Sequence, residues 1–139
     1  MTNLHGSVVA FGARGLLILG ASGSGKSALA LRLVQRGAAL VADDRVQVVR
    51  RGGALVASAP AALQGLIEVR GVGLLRLPAV PEAVLTLAVD LDRQAAARMP
   101  HTVTIACMEV ELQLISGRDL PNLDAALTVL LQNGPAFTE

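Results

Sequence analysis

The chain has 139 residues, which is enough for one domain with a buried core but not comfortably for two. Hydrophobic residues make up 53% of it and charged residues 17%, a balance that excludes a disordered chain. A formal net charge of +1 and only two aromatic residues exclude a broad basic surface and base-stacking platforms, so no nucleic-acid partner is expected.

Three sequence features bear on cellular location. Charged, Gly or Pro residues interrupt every apolar stretch before it reaches the about 18 residues of a membrane span, so no membrane association is expected. Residues 1–5 lack the basic and apolar regions of a secretory signal. Cys107 is the only cysteine, so no internal disulfide can form, and the predicted location is the reducing cytoplasm.

The first part of the chain predicts a hairpin, a glycine-rich loop and a helix. Residues 7–11 and 14–19 are apolar runs on either side of a tight turn that contains glycine, a pattern typical of a β-hairpin. Residues 20–25 are rich in glycine, and apolar side chains recur at helical spacing over residues 26–36. Gly37 stands where the cap of a helix C-terminus is expected.

The remainder of the chain predicts mostly strands. They cover residues 39–42, 46–49, 54–58, 66–69, 74–77, 84–89 and 109–115, and the pair 46–49 and 54–58 forms a second hairpin. Helical spacing returns at residues 123–131. This order predicts an α/β fold with a mixed sheet rather than regular βαβ repetition. No linker or repeat divides the chain, so residues 1–139 are interpreted as a single domain.

A phosphate-binding loop follows the first hairpin. The Walker A pattern G-x-x-x-x-G-K-[ST] is met by Gly20, Ala21, Ser22, Gly23, Ser24, Gly25, Lys26 and Ser27. Glycines let consecutive N–H groups turn toward one phosphate, and the helix that follows directs its positive N-terminal end to the same place. The lysine reaches the β- and γ-phosphates and the serine hydroxyl can ligate Mg²⁺. Because Lys26 is the only lysine beside eleven arginines, this function is favoured over a glycine-rich turn that binds nothing.

Two adjacent carboxylates follow the next predicted strand. Asp43 and Asp44 come directly after residues 39–42, soon after the helix of the phosphate loop. Adjacent residues of an extended chain point to opposite sides, so the two side chains are expected to differ in role. One would face Mg²⁺ and water, while the other would accept a proton from a hydroxyl nucleophile. The alternative is a solvated turn that includes Arg45.

Glu68 and Arg70 form the third candidate group. They are two residues apart, so on a strand they share a face. A carboxylate and a guanidinium that project together suit a metal ion on one side and phosphate oxygens on the other. The spacing alone favours the alternative, a surface ion pair on an edge strand.

Together these motifs resemble the catalytic domain of the bacterial HPr kinase/phosphorylase family. Its members have a His before the hairpin, followed by G-x-S-G-x-G-K-S, L-V-A-D-D and E-V-R-G-[LI]-G. The corresponding residues are His5, 20–27, 40–44 and 68–73, in the same order and spacing over roughly residues 5–77. Val72 stands where the family usually has Leu or Ile.

Past residue 77 the resemblance is weaker. Residues 97–100 look like the family's R-L-[GP] stretch, in which Arg98 takes the place of the catalytic arginine, and Gly117-Arg118 looks like a degraded P-G-R segment. Typical members also carry an N-terminal domain and a longer C-terminal helix, so the chain resembles the short single-domain form of some proteobacteria. The implied fold is a P-loop kinase core with a mixed sheet, of the HPr kinase and phosphoenolpyruvate carboxykinase type.

The resemblance implies an ATP- and Mg²⁺-dependent kinase that phosphorylates a serine of the phosphocarrier protein HPr. The phosphate loop and Arg70 would bind the phosphates, and Ser27 and Glu68 would coordinate Mg²⁺. The implied catalytic residues are His5, Lys26, Asp43, Asp44 and Arg98. Among these, Asp44 would take the proton of the substrate serine, His5 would lie by the phosphates, and Arg98 would neutralise charge in the transition state.

The resemblance also implies a reverse activity and an assembly. In reverse, inorganic phosphate would attack phosphoserine and release pyrophosphate. Members of the family form hexamers, which implies a homo-oligomer. For individual residues plainer roles are the alternatives: His5 as a frayed N-terminal residue, and Arg98 as a solvated arginine.

Two other function classes are open alternatives. A small-molecule kinase or general NTPase built on the same loop predicts an arginine-rich lid after the helix, which the sequence does not contain. A non-catalytic nucleotide sensor need not keep a candidate base, so the intact Asp43, Asp44 and Glu68 argue against it.

Overall fold

The computed structural model describes residues 1–95 and 103–134 and has a nine-stranded mixed sheet with two α-helices. The strands are β1 (Thr2–His5), β2 (Ser7–Phe11), β3 (Arg14–Leu19), β4 (Ala39–Ala42), β5 (Arg45–Arg51), β6 (Ala54–Ser58), β7 (Leu66–Val69), β8 (Gly73–Arg76), β9 (Glu82–Asp90), β10 (Val103–Cys107) and β11 (Val110–Ser116). The helices are α1 (Lys26–Gln35) and α2 (Leu123–Asn133), and a short 3₁₀ turn covers Ala61–Leu63. Neither α-helix of the described part combines the length and apolarity that crossing a membrane requires.

The main sheet has the order β1-β5-β6-β9-β3-β2-β4, and β11 with its hairpin partner β10 joins it beside β9. Strand β9 is parallel to both β3 and β11, while the remaining pairs are antiparallel. The three parallel strands therefore end at the same edge, with Leu19 and Ser116 both opposite Asp90. Ligands of open α/β sheets bind in the crevice beyond such carboxyl ends.

The sheet is buried on both faces. Leu16 and Ile18 of β3 pack into a cluster with Leu29 and Leu33 of α1, while Leu17 faces a second cluster built with residues of β5, β6 and β11. Neighbouring residues of a strand point to opposite faces, so this strand must be apolar throughout. Residues 14–19 form an uninterrupted apolar run after Arg14 for this reason.

The predicted mixed α/β fold is confirmed, including both hairpins and both helices. Helix α1 is followed by Arg36 as its cap, and Gly37 has a φ of 112°, in the left-handed region that favours glycine after a helix.

Two strands were not predicted. Strand β1 is short and largely polar, and β10 alternates between half-buried and exposed residues without a fully buried side chain, so neither shows a strong apolar pattern.

Strands β7 and β8 form a separate two-stranded hairpin, which Ile67 anchors against α1. The strand β7 ends at Val69, and Arg70 lies in the turn that follows. The prediction that Glu68 and Arg70 share one face of a strand is therefore wrong, because the chain turns before the second residue.

Candidate active site

The phosphate loop joins the end of β3 to the start of α1. Gly25 precedes the helix with a φ of 100°, and no side chain caps the helix N-terminus among the described residues. The first N–H groups of α1 are consequently available to an anion. A Cβ at Gly20 would collide with the Ser24 hydroxyl, so the loop needs glycine at its first position.

Lys26 folds back across the loop. Its Nζ donates hydrogen bonds to the carbonyl oxygens of Gly20 at 2.8 Å and Ala21 at 3.0 Å, and the residue is only 6% exposed. An ammonium group has three donors, so one remains for a ligand oxygen. The buried hydroxyl of Ser24 has no hydrogen-bond partner in the described part of the chain. Such unpaired donors fit a loop that is completed by phosphate oxygens.

Asp43 is joined to the loop through Ser27. The Ser27 hydroxyl donates a hydrogen bond of 2.8 Å to Oδ1 of Asp43, so the end of β4 lies against the start of α1. A serine hydroxyl and a carboxylate are oxygen donors of the kind that Mg²⁺ takes together with phosphates and waters. No cluster of three or more His, Cys, Asp or Glu side chains for a metal occurs among residues 1–95 and 103–134. The Ser27 hydroxyl and the Asp43 carboxylate therefore fit a metal ion that the protein coordinates together with a bound ligand.

Ser7 is a site residue that the sequence reasoning missed. It is fully buried, its hydroxyl donates a second 2.8 Å hydrogen bond to Oδ1 of Asp43, and the N–H of Asp44 donates to the same hydroxyl at 3.4 Å. The sequence signal for Ser7 was a polar residue at the start of the apolar run of β2. Its hydrogen-bond partner Asp43 is 36 residues away, so the local sequence pattern could not predict the contact.

Asp44 has a different environment from Asp43. Its Oδ1 lies 3.1 Å from Nε2 of His5, and both side chains are more than half exposed. The expected difference between the two aspartates is present, but its stated reason is wrong. Asp44 has a φ of 68° and belongs to a bend rather than to an extended strand, so the turn directs it to solvent. His5 is the last residue of β1, pairing with Arg45 of β5, rather than a frayed end.

A further carboxylate contacts the loop from the segment that follows β9. Asp92 accepts a hydrogen bond from the N–H of Ala21 at 2.6 Å, and the N–H of Asp92 donates to Asp90 Oδ1 at 2.9 Å. The sequence reasoning missed both, although a strand that runs apolar into an acidic residue was visible at residues 87–90. Asp92 is thus hydrogen-bonded to the backbone at the first turn of the phosphate loop.

The remaining predicted residues are not brought into this cluster. Glu68 is exposed on β7, opposite Leu74 of β8, and Arg70 is exposed in the turn. No hydrogen bond or ion pair within the described ranges joins either side chain to the phosphate loop. Arg98 lies outside the described residues. The roles of these three residues stay predictions.

The comparisons with known proteins give one consistent result. The sequence model of the HPr Serine kinase C-terminal domain family matches residues 1–81. An HPr kinase/phosphorylase of an Exiguobacterium species is 36% identical over 148 aligned positions, covering 96% of this chain and 48% of the relative. That of Clostridium tetani is 46% identical over 79 residues, covering 57% and 26%. The chain thus spans between about a quarter and a half of these relatives.

A solved structure extends the likeness to nearly the whole chain. The Hpr(Ser) kinase/phosphatase from Coxiella burnetii matches with a TM-score of 0.81 and 25% identity. The match covers 96% of this chain and 95% of that one. The similarity in fold therefore continues beyond the segment that the family model matches.

Proposed function

The chain belongs to the HPr Serine kinase C-terminal domain family, and from this premise we propose that it is an ATP-dependent protein kinase acting on a serine of an HPr-type phosphocarrier protein. The observation that carries the proposal is the Asp43 carboxylate bonded to Ser27 of the loop, with the exposed Asp44 beside it. The two carboxylates at this end of the loop support one role in binding a metal ion and one in accepting a proton.

In the forward reaction we assign the phosphates of ATP to the loop amides and Lys26. Ser27 and Asp43 would hold Mg²⁺. When bound, this ion would neutralise negative charge on the phosphates. The substrate serine oxygen forms a bond to the γ-phosphorus as the bond to the bridging oxygen breaks, and ADP leaves with that electron pair. Asp44 accepts the serine proton, and His5 orients its carboxylate.

The reverse reaction uses the same groups. An oxygen of inorganic phosphate attacks the phosphorus of phosphoserine, the bond to the serine oxygen breaks, and pyrophosphate forms. Asp44 then returns the proton to the serine oxygen. Glu68 for the metal ion, Arg70 for the phosphates and Arg98 for the transition state stay predictions of the family pattern.

The wider setting of the enzyme is also part of the proposal. We treat residues 1–139 as one catalytic domain that uses ATP and Mg²⁺ in the cytoplasm, with HPr as its protein partner. A homo-oligomer, hexameric by analogy with the family, and the absence of nucleic-acid or membrane partners are expectations that rest on composition and family.

The experiment that tests the proposal is a direct transfer assay. The full chain is incubated with ATP, Mg²⁺ and the HPr of its host, and acid-stable phosphoserine is measured against an HPr in which the serine is replaced by alanine. Phosphoserine on the unmodified HPr alone supports the proposal. Rapid phosphorylation of a metabolite without transfer to HPr would show a small-molecule kinase, and nucleotide binding without any transfer would show a sensor.

A further inference from the structure

We propose that Arg45 helps to dock the acceptor protein by pairing with a carboxylate that this protein carries close to the serine that is phosphorylated. Arg45 is the first residue of β5 and directly follows Asp44, the proposed base. The inference rests on the proposed function, because it assumes that a protein serine is brought to Asp44. It adds a residue that determines specificity on the acceptor side of the site.

Arg45 and His5 lie side by side on one face of the sheet. They are opposite each other in the antiparallel pairing of β1 with β5, so their Cβ atoms are about 5 Å apart. Val46 belongs to the buried cluster on the other face, and Leu4 packs against that cluster. Because successive side chains of a strand alternate, those of His5 and Arg45 point outward, and both residues are exposed.

The two aspartates separate the nucleotide side of the site from the side that faces solvent. Asp43 accepts a hydrogen bond from Ser27 of the phosphate loop, whereas Asp44 lies 3.1 Å from His5 and is exposed. Arg45 shares its face with His5, so it lies on the side of Asp44. A protein that presents a serine to Asp44 approaches from this exposed side, because the loop occupies the other.

The guanidinium of Arg45 has no protein partner within residues 1–95 and 103–134. It takes part in no hydrogen bond and no ion pair there. Arg51, on the same face of β5, is by contrast paired with Glu82 at 2.8 Å, and Arg50 donates to two backbone carbonyls. A guanidinium presents its donors in a planar fork that fits a carboxylate. Arg45 is therefore complementary to an acidic group on a partner.

The backbone of Arg45 is held in place although its side chain is unpaired in this part of the chain. Its N–H donates to the carbonyl of Asp43 at 2.8 Å, and the N–H of Gly6 donates to the carbonyl of Asp44 at 3.1 Å. The left-handed φ of Asp44, 68°, turns the chain just before β5 begins. The Cα of Arg45 is thus fixed relative to the proposed base, which limits the entropy cost of docking to the side chain.

The surface around Arg45 is an open face of the sheet. Asn3 and Gln47 form the next outward-facing pair of β1 and β5, and Ser58 of β6 is opposite Gln47. Their amides and hydroxyl can hydrogen-bond to a partner, and none of them carries a charge that would offset Arg45. Small molecules bind in concave pockets, so an open polar face beside the base suits the surface of a protein acceptor.

The test measures phosphate transfer by the full chain to the HPr of its host, with ATP and Mg²⁺. Arg45→Gln removes the charge, and Arg51→Gln removes the same charge from the same face of β5, about 20 Å further along the strand. We expect Arg45→Gln to raise the KM for HPr about fivefold, with kcat and the ATP affinity in calorimetry within about twofold of wild type. Arg51→Gln should change none of these three quantities.

Charge reversal and salt distinguish an ion pair from other effects of the substitution. Arg45→Glu should raise the KM for HPr further than Arg45→Gln does, because two carboxylates then repel each other. Raising the ionic strength from about 0.05 M to about 0.5 M should increase the wild-type KM and narrow its difference from that of Arg45→Gln. An ATP affinity like that of wild type shows in the same samples that the variants are folded.

The inference has outcomes that overturn it separately from the proposed function. An unchanged KM in Arg45→Gln, or equal KM values in Arg45→Gln and Arg45→Glu, would show that Arg45 docks no carboxylate. A defect confined to the reverse reaction, with inorganic phosphate and phosphorylated HPr, would assign Arg45 to the phosphoryl group instead. Either result leaves wild-type transfer to HPr intact. Absence of transfer by the wild-type chain would refute the proposed function itself, and the inference with it.

Discussion

The hydroxyl of Ser7 donates a hydrogen bond of 2.8 Å to Oδ1 of Asp43 from a fully buried position in β2. Ser27 donates to the same oxygen at the same distance, so two hydroxyls from different elements orient one carboxylate. Oδ2 of Asp43 accepts no hydrogen bond from the described residues and stays available to a ligand. The position of the carboxylate therefore depends on β2 as much as on the phosphate loop.

Replacing Ser7 by alanine should loosen this carboxylate. Ser7→Ala removes one of two hydrogen bonds to a charged group, so we expect a loss of about 1–2 kcal/mol in unfolding free energy and a higher Mg²⁺ concentration for half-maximal phosphate transfer. Urea denaturation and a Mg²⁺ titration of the transfer rate measure the two effects. Ser58→Ala, at the end of β6, is the matched control. An unaltered Mg²⁺ requirement in Ser7→Ala would contradict the orienting role.

The two aspartates should separate binding from transfer. Asp44→Asn keeps a residue that tolerates the left-handed φ of 68° and removes the proposed base. Transfer to HPr should fall by about 100-fold or more, while ATP affinity changes little. Asp43→Asn should instead weaken Mg²⁺-dependent ATP binding, because the carboxylate beside Ser27 is lost. Calorimetry and phosphoserine formation distinguish the two, and unchanged transfer in Asp44→Asn would refute its role as base.

Variants of Asp92 can separate two effects of this residue on phosphate binding. Its hydrogen bond to Ala21 stabilises the loop, and its negative charge repels phosphate. Asp92→Asn keeps an acceptor for the N–H of Ala21 and removes a negative charge near the phosphates, so tripolyphosphate should bind at least as tightly as to wild type. Asp92→Ala removes the acceptor as well. Its affinity should be lower than that of Asp92→Asn by about fivefold, the effect of one hydrogen bond of about 1 kcal/mol. Equal affinities of the two variants in calorimetry would mean that the bond does not brace the loop.

The first turn of α2 carries a pH-dependent contact. Partial burial of Asp124 acts to raise its pKa, but the hydrogen bond from Arg36 and that from the N–H of Ala125 outweigh it, and the pKa is lowered. A depressed carboxyl pKa stabilises the fold above the unfolded value, and the stabilisation is lost as the pH falls through the folded value. Arg36→Met should therefore destabilise the protein by up to about 1 kcal/mol at pH 7.

The same comparison in acid supplies the control. Once the pH falls below the lowered pKa of Asp124, the carboxyl is protonated in the folded protein as well, so the difference between Arg36→Met and wild type in urea denaturation should shrink. Arg76→Met, on the exposed hairpin strand β8, should show no such pH dependence. A difference that stays constant from pH 7 down to acid would show that the contact between Arg36 and Asp124 is not ionic in origin.

The sequence alone determined the features that arise from neighbouring residues. The eight-residue phosphate motif, the turns of the two hairpins and the periodic faces of α1 and α2 were all predicted, because turn chemistry and apolar periodicity act over a few residues. The motif pattern was also sufficient to identify the family.

Only the tertiary structure decided which distant residues meet. Ser7 joins Asp43 and Asp92 joins Ala21 because the order of the strands places β2 beside β4 and β9 beside β3. The segment that joins β11 to α2 lines a cavity together with α1 for the same reason. Strand order follows from burying both faces of one sheet across the whole chain, and no local pattern of side chains records that choice.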